Sequence, residues 1–473
     1  MSCADQSRGQ VAAVILAAGQ GTRMRSRTSK LLHPLGGVPL VHYPVAAALQ
    51  LGCDPVVVVV SPTGEAVSRS LVAAFPDAPV CFAIQQEPRG TADAVRAGLA
   101  ALPGYTGGLL ILCGDVPNLR PATLAGLLDA QQQAAAALTF LSFVPESPAA
   151  YGRVLRDPAG RPVAIVEARE ASLEQLRITE VNAGIYVVDA AFARASLERV
   201  QAANSQRELY LTDLVGLAAT DGRPVLALLA AAEEVAGIND RVDLAQAEAC
   251  WRRRRNEELM RAGVTMERPE TVFVAQTVQL AADVTLEPGV RLSGACTVAA
   301  RAVIGQGSVL HDTVVGEEVR VRPYTVAEGA VLGPRCTVGP FARLRAGTVL
   351  GEEVHIGNFV ETKKAVLGDG SKAAHLTYLG DAELGRRVDV GGGTSTCNYD
   401  GFRKDKTRIG DECLIGSDTQ LVAPVSLGAG AVTGAGSVVT NDVPAGALAV
   451  SRARQRNVEN YRDKLRRRYL PED

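Results

Sequence analysis

Aromatic side chains are scarce in this 473-residue chain: Phe, Tyr and Trp together make up 4% of it, with a single Trp. A core without rings must be filled by small and branched residues, and Val and Ala dominate the 47% that is apolar. That apolar content excludes disorder over most of the length. An excess of charge of one sign is also missing, since 49 Lys+Arg stand against 51 Asp+Glu. The balance argues against a general binder of nucleic acid or membrane surfaces. No apolar run approaches the ~20 residues that a bilayer span needs; the longest are Val11–Ala18 and Pro55–Val60. Val11–Ala18 is preceded by Asp5 as well as Arg8, so it lacks the cationic leader of a signal peptide. The nine cysteines are scattered with no CxxC spacing. This fits reduced thiols in a cytoplasmic chain, with neither a disulfide frame nor a zinc cluster.

At ~150 residues per domain the length suggests two or three domains, and two halves do differ in period. Residues 1–10 read as a disordered N-terminus. Over 11–240 short buried strands, Val11–Ala18, Pro55–Val60 and Leu109–Cys113, alternate with helical stretches such as Val41–Leu51 and Thr91–Leu102. That rhythm predicts a parallel α/β sheet, whose ligands bind beyond the carboxyl ends of its strands, near Gly19, Ser61 and Asp115. A charged stretch over 241–263, including Arg252–Arg255, reads as a helical linker with a solvated face.

Past Val264 branched apolar residues recur every six positions, as at Leu280, Leu286, Leu292, Val298, Ile304 and Leu310, then Leu332, Val338, Leu344, Leu350 and Ile356. The beat returns at Leu384 and Val390, and at Ile409, Ile415, Leu421 and Leu427. Six helical residues turn through about 600°, so such a set could not share one face of a helix. Six is a multiple of the strand period of two, and a hexapeptide repeat is the signature of a parallel β-helix. About ten coils are expected over 264–450, with small Gly and Ala at tight corners. Two stretches, Thr362–Leu379 and Thr394–Lys406, interrupt the beat and read as outward loops carrying a second site. The last segment, 451–473, is basic and aperiodic, and reads as a solvated, partly disordered tail.

The string LAAGQGTRM, Leu16–Met24, places a Gly-rich turn directly after a strand, where backbone N–H groups can cradle phosphates. With Lys30 it resembles nucleotidyltransferases that join a nucleoside triphosphate to a sugar 1-phosphate. Further strings follow in order: Gln85–Thr91 (QQEPRGT), Cys113-Gly114-Asp115, Tyr151-Gly152-Arg153, Val166-Glu167, Val181-Asn182-Ala183-Gly184 and Gly237-Ile238-Asn239. The second half adds PFARLR ending at Arg345, GNFVETKK over 357–364, HLTYLGDA from His375, TCNYDG over 396–401 and GSDTQLVAP from Gly416. Together, from about Val11 to Arg452, these resemble the bifunctional N-acetylglucosamine-1-phosphate uridylyltransferase / glucosamine-1-phosphate N-acetyltransferase family. The resemblance implies a Rossmann-like nucleotidyltransferase domain and a left-handed parallel β-helix acetyltransferase. It also implies a cytoplasmic homotrimer making UDP-N-acetylglucosamine for cell-wall precursors, with UTP and acetyl-CoA as co-substrates and Mg²⁺ as cofactor.

Residue by residue, the resemblance places UTP and UDP-N-acetylglucosamine on Leu16, Ala17, Ala18, Gly19, Lys30, Gln85, Gly90, Thr91, Cys113, Gly114, Asp115, Gly152, Glu167, Asn182 and Asn239. Asp115 and Asn239 would offer Mg²⁺ hard oxygen donors. Lys30 and Arg23 would meet the triphosphate as charges in a reaction that is mostly positioning and neutralisation. The Gln85 amide offers uracil a donor and an acceptor, and Gly90 permits close backbone approach. In the second half His375 matches the general base, a residue type that titrates near neutral pH. Arg345, Lys363, Tyr378 and Asp389 match the contacts of glucosamine 1-phosphate. Gly392, Asn398, Tyr399, Ser417, Ala435 and Arg452 match those of acetyl-CoA.

Four positions depart from the family pattern: Cys113 stands for a frequent Tyr, Ser29 for Pro, Asp389 for Asn and Gly392 for Ala. None removes a charged catalytic group. An alternative reading is a single-activity sugar-1-phosphate nucleotidyltransferase whose β-helix is regulatory or structural, which leaves HLTY and CNYDG without a purpose. A metal-dependent lyase on a left-handed prism would need three convergent His ligands, and only His311, His355 and His375 lie in that half, irregularly spaced. A scaffold without activity would have no use for Lys30, Asp115 and His375.

Overall fold

The computed structural model describes residues 11–148 and 150–470; the expected disordered N-terminus, 1–10, lies outside them. The chain divides into two compact units, one ending at Arg254 and the other starting at Arg255. The boundary falls within a single helix, Arg241–Arg261.

In the first unit, besides a short hairpin of Pro34–Leu35 and Val38–Pro39, the strands are β1 (Val11–Ala17), β2 (Val56–Val60), β3 (Val80–Ile84), β4 (Gly108–Cys113), β5 (Leu138–Phe143), β6 (Arg153–Arg156), β7 (Pro162–Val166), β8 (Val181–Asp189) and β9 (Val225–Leu229). The main sheet runs in the order β9-β5-β8-β4-β1-β2-β3, with the β6/β7 hairpin attached to β8. β1 lies parallel between β2 and β4, with Leu16 opposite Val59 and Cys113. The sheet is mixed rather than wholly parallel, because β8 runs antiparallel to both β4 and β5. The chain reaches β8 from the β6/β7 hairpin instead of from a crossover helix, so the handed βαβ rule does not govern this strand. Both faces of the sheet are covered. Val14, Val57 and Val59 feed one apolar cluster, while Ile15, Val58 and Leu110 feed the other. Burial on both faces explains continuous apolar strands such as Val56–Val60.

The second unit is a left-handed parallel β-helix. Its strands, two to four residues long, stack into three parallel sheets of 11, 10 and 9 strands, one on each face of a triangular prism. The hexad residues face inward: Leu286, Leu292, Ile304, Leu310, Val338, Leu344 and Ile356 are wholly buried. Where the beat fades after Leu310 it has only lost one residue at each of two corners, before Val315 and before Leu332, since Val315, Val321, Ala327 and Leu332 continue the inward column.

Thr362–Leu379, expected as an outward loop, also stays in the prism. Thr362, Leu367, Ala373 and Leu379 face inward, and the strands Glu361–Lys363, Val366–Leu367, Lys372–His375 and Tyr378–Gly380 remain in their ladders. One polar inward residue, Thr362, and a step of five to Leu367 disguised the repeat there. The Thr362 hydroxyl is satisfied inside, 2.9 Å from that of Thr348. The second interruption does leave the stack: 398–405 forms a hairpin closed by a bridge between Tyr399 and Lys404. The Asp400-Gly401 pair, a strong hairpin signal, sits at its tip, with the Asp400 carboxylate accepting from the Phe402 and Arg403 N–H groups at 2.8 and 2.7 Å.

Corners are not reserved for small residues. Glu318, Arg335 and Glu353 take positive φ of 58°, 57° and 59°, a conformation that costs about 1–2 kcal/mol for a residue with a Cβ. Each corner N–H then reaches the coil below, as in Arg335 N to Glu317 O at 2.8 Å. The tail also departs from expectation, because Tyr461–Tyr469 is an exposed helix. Asp463 in its first turn and Arg466–Arg468 in its last match the helix dipole. Among the described residues no helix is long and apolar enough to cross a membrane.

Candidate active sites

In the first unit the functional side chains gather where β1, β2 and β4 end. A cleft of about 890 Å³ opens there, lined by Ala17, Ala18, Gly19 and Gln85 together with Ser61 and Thr63. Leu16 and Gly114 contribute backbone, with the Gly114 N–H donating to Leu16 O at 3.0 Å. Gly21, at φ 60°, turns the chain into Thr22–Met24 and aims Arg23 across the site. The Arg23 guanidinium donates to Asn239 Oδ1 at 2.8 Å, and Lys30 forms a largely buried ion pair with Asp115. The Ile238 N–H donates to Asp115 O at 3.0 Å, which fixes Asn239 beside the Asp115 loop.

A second cluster adjoins this one. The Asn182 N–H donates to Gly152 O at 2.9 Å, and a Cβ on Gly152 would lie 3.5 Å from the Glu167 carboxylate. Burial pushes the Glu167 carboxyl above its usual range, opposed by a 3.1 Å hydrogen bond from the Thr212 hydroxyl. Cys113 links the two clusters, its Sγ lying 3.3 Å from Gly184 O. Burial and the Asp115 carboxylate push the Cys113 thiol up to about 12, so it remains a neutral wall.

Three expected nucleotide contacts have structural work of their own. The Gln85 Nε2 donates to Gly90 O at 3.1 Å and to Asp93 Oδ2 at 3.0 Å. Both of its N–H groups are therefore engaged, and only the amide oxygen is left to read a base. The Thr91 hydroxyl accepts from the Leu211 N–H at 3.0 Å. Gly90, at φ 113°, is required by the Leu209 backbone, whose oxygen a Cβ would approach to 2.5 Å.

In the second unit His375 ends the strand Lys372–His375 with its side chain exposed. A Cβ on Gly392 would lie 3.0 Å from the His375 ring, so that glycine gives the imidazole room. From there a column descends one corner of the prism: Asp418 N donates to Gly392 O, and Gly436 N to Ser417 O, both at 2.8 Å. Arg452 closes it by donating to Ala435 O at 2.7 Å. Gly392, Ser417, Ala435 and Arg452 are thus stacked beneath the histidine. Asp389 is exposed on the adjoining face, in register with Lys372.

The next corner carries cations. Arg345 pairs with Glu361 at 3.0 Å, and Lys404 and Arg345 beside Lys363 hold its ammonium below the ordinary lysine value. Crowded positive charge of this kind suits a phosphate. Between the two corners lies Tyr378, half-buried on the strand Tyr378–Gly380. The Asn398 amide donates to Asp381 Oδ2 at 2.5 Å, and the Tyr399 hydroxyl to Gly401 O at 2.6 Å. On the His375 corner, coils preceding it expose a ladder of rings, with Tyr324 on Phe341 at 5.4 Å and Phe341 on Phe359 at 5.6 Å between centroids. Among the described residues no three His, Cys, Asp or Glu side chains converge as a metal cluster.

Ser61, expected beyond a strand end, does line the cleft, whereas sequence reasoning missed Lys404, Thr63, Thr212 and Tyr186. Lys404 was signalled by the Asp400-Gly401 turn, which folds the chain back onto Tyr399. Tyr186 was signalled by the strand period of two, which repeats the face of Asn182 and Gly184.

Family comparisons agree with this division. The description "MobA-like NTP transferase domain" matches residues 13–207, "GMPPB C-terminal domain" residues 269–372, and "Hexapeptide repeat of succinyl-transferase" residues 406–441. The chain is 49% identical over 451 residues to the bifunctional protein GlmU of Anaeromyxobacter sp. (strain Fw109-5), covering 95% of this chain and 92% of that one. It is 46% identical to that of Pelobacter propionicus over 97% of this chain and 99% of the relative, and 45% identical to that of Geobacter sulfurreducens over the same shares. With a nucleotidyltransferase fold in front, a hexapeptide prism behind and relatives that match both halves at once, the chain belongs to the GlmU family of bifunctional uridylyltransferase–acetyltransferases.

Proposed function

We propose that the prism acetylates glucosamine 1-phosphate with acetyl-CoA, and that the α/β unit then joins the product to UTP, releasing pyrophosphate and UDP-N-acetylglucosamine for cell-wall precursors. The observation that carries this reading is the presence of two separate reactive constellations: Arg23, Lys30, Asp115 and Asn239 in one unit, and His375 with a cationic cluster in the other.

In acetyl transfer, His375 takes the proton as the sugar amine attacks the thioester carbon. The C–N bond forms, the C–S bond breaks, and coenzyme A leaves as the thiol once that same proton passes to its sulfur. Arg345, Lys363 and Lys404 hold the 1-phosphate, and the corner column Gly392–Ser417–Ala435 gives the pantetheine arm a smooth track ending at Arg452. In uridylyl transfer, the sugar phosphate oxygen attacks the α-phosphorus in line with departing pyrophosphate. Lys30 and Arg23 exchange their present partners for phosphate oxygens, while Gly152, Glu167 and Asn182 fix the sugar. Asp115 and Asn239 fit Mg²⁺ as a carboxylate and an amide oxygen held on neighbouring backbones. Bound there, the ion would neutralise phosphate charge.

The reading extends to a homotrimer in the cytoplasm. The exposed Tyr324–Phe341–Phe359 ladder beside the reactive corner supports self-association, since a neighbouring copy would cover it and a heterologous contact can close into a ring. The test is to supply the purified chain with glucosamine 1-phosphate and acetyl-CoA, then with UTP and Mg²⁺. N-acetylglucosamine 1-phosphate should form in the first step and its UDP adduct in the second. Failure of the first step alone would leave a single-activity nucleotidyltransferase on a structural prism.

A further inference from the structure

Tyr186 belongs to β8 and is 2% exposed, yet its hydroxyl ends among polar groups. Asn182 donates to it from Nδ2 at 2.6 Å, while Asn182 Oδ1 accepts from the Gly184 N–H at 3.1 Å. Because a backbone N–H can only donate, the Gly184 contact fixes which end of the amide is oxygen. The nitrogen end then has two hydrogens, one on the Tyr186 hydroxyl and one unassigned. Strand geometry makes the arrangement rigid. Tyr186 is opposite Ile111 on β4, and β8 departs from regular pairing with β5 between Asn182 and Tyr186, which lets the Asn182 side chain fold back along its own strand. Glu167 and Cys113 complete the surroundings of the hydroxyl, and burial together with the Glu167 charge raises its pKa well above the ordinary phenol value. It therefore stays protonated and neutral at any working pH.

We propose that Tyr186 is a positioning residue for the sugar site: its hydroxyl anchors one Asn182 N–H so that the other is presented to an acceptor oxygen of the N-acetylated sugar 1-phosphate. The inference rests on the uridylyltransferase reading above and deepens it by assigning Asn182 the role of donor and Tyr186 that of its support. A donor fixed in this way rewards a substrate oxygen at one place and leaves a buried polar group unpaired when that oxygen is missing, which is how such a site discriminates.

The test is Tyr186→Phe in the full chain, a change that keeps the ring and removes only the hydroxyl. The KM for N-acetylglucosamine 1-phosphate should rise by about tenfold, while kcat and the KM for UTP change by less than about twofold. In an Asn182→Ala background the same substitution should add almost nothing, because the partner through which Tyr186 acts is gone. A purely structural role would instead lower thermal stability and harm both backgrounds equally, and that result would overturn the proposal, as would an unchanged sugar KM. Should Tyr186→Phe fail to fold, Asn182→Asp decides, since it keeps the shape but offers only acceptors. It should lose sugar affinity by at least about tenfold, and an unchanged KM would refute the donor assignment. Absence of any uridylyl transfer by the unmodified chain is a different outcome, which fails the underlying reading and not the role of Tyr186.

Discussion

The two units assemble their sites by opposite routes. In the α/β unit, partners come from remote parts of the sequence: Arg23 meets Asn239 across 216 positions, and Lys30 meets Asp115 across 85. In the prism, partners recur at one coil's spacing, as where Arg452 meets Ala435 17 positions earlier. A sheet with crossovers brings strand ends together once, so each contact is unique and a shift in one loop disturbs only that contact. A stacked coil repeats the same corner again and again, so a site becomes a column whose length is set by how many coils share it. This difference suits the proposed ligands: a compact triphosphate and sugar in the first case, an extended pantetheine arm in the second.

The sharpest way to break the comparison is to disable each site alone. His375→Ala should lower acetyl transfer by about 10³-fold and leave uridylyl transfer within about twofold. Asp115→Ala should do the reverse. Measuring both activities on each variant checks the division, and loss of both activities in either variant would show the units to be coupled. A smaller effect is expected at Lys404, which joins the cationic corner only because the 398–405 hairpin folds back. Lys404→Met should raise the KM for glucosamine 1-phosphate by about tenfold. It should also weaken the dependence of that KM on salt, because one fewer charge is left to be screened. An unchanged KM would remove the hairpin from the phosphate site.

How much of this was legible in the sequence differs between the units in the same way. The prism could be read directly, because a beat of six is visible wherever the inward residue is Leu, Ile or Val. It became illegible where corners drop a residue after Leu310 and where Thr362 takes an inward place, and at Thr362 a continuous stack was mistaken for a loop, whereas past Thr396 the chain does leave the stack. In the α/β unit the three strands β1, β2 and β4 were clear, but β8 was not recognisable as antiparallel, since strand direction is set by connections and not by composition. Proposed site residues with a motif around them, such as Asp115 and His375, were reached by resemblance. Thr212 acts by holding the Glu167 side chain, so no local pattern advertised it, and Tyr186 was signalled only by sharing a strand face with Asn182. Gln85 and Gly90 show the converse: residues credited to a ligand turn out to have intramolecular partners.

The inward threonines give the mildest and most discriminating test. Thr396 is buried, accepts from the Gly380 N–H at 2.7 Å and lies 3.0 Å from Gly380 O. If it merely fills space, Thr396→Val should be neutral, since the two side chains have the same shape. If it satisfies a backbone group that the coil leaves unpaired, the valine strands the Gly380 N–H inside the prism, at about 1–3 kcal/mol. We expect the second outcome, read as an earlier unfolding of the prism in denaturant with no change in the transition of the α/β unit. The contrast sharpens at Thr362→Val, whose hydroxyl meets only another hydroxyl, that of Thr348, which already has Arg345 O as acceptor at 2.7 Å. That substitution should cost less than half as much. A reversed order would mean that inward polarity in the prism is set by packing and not by the backbone of the neighbouring coil.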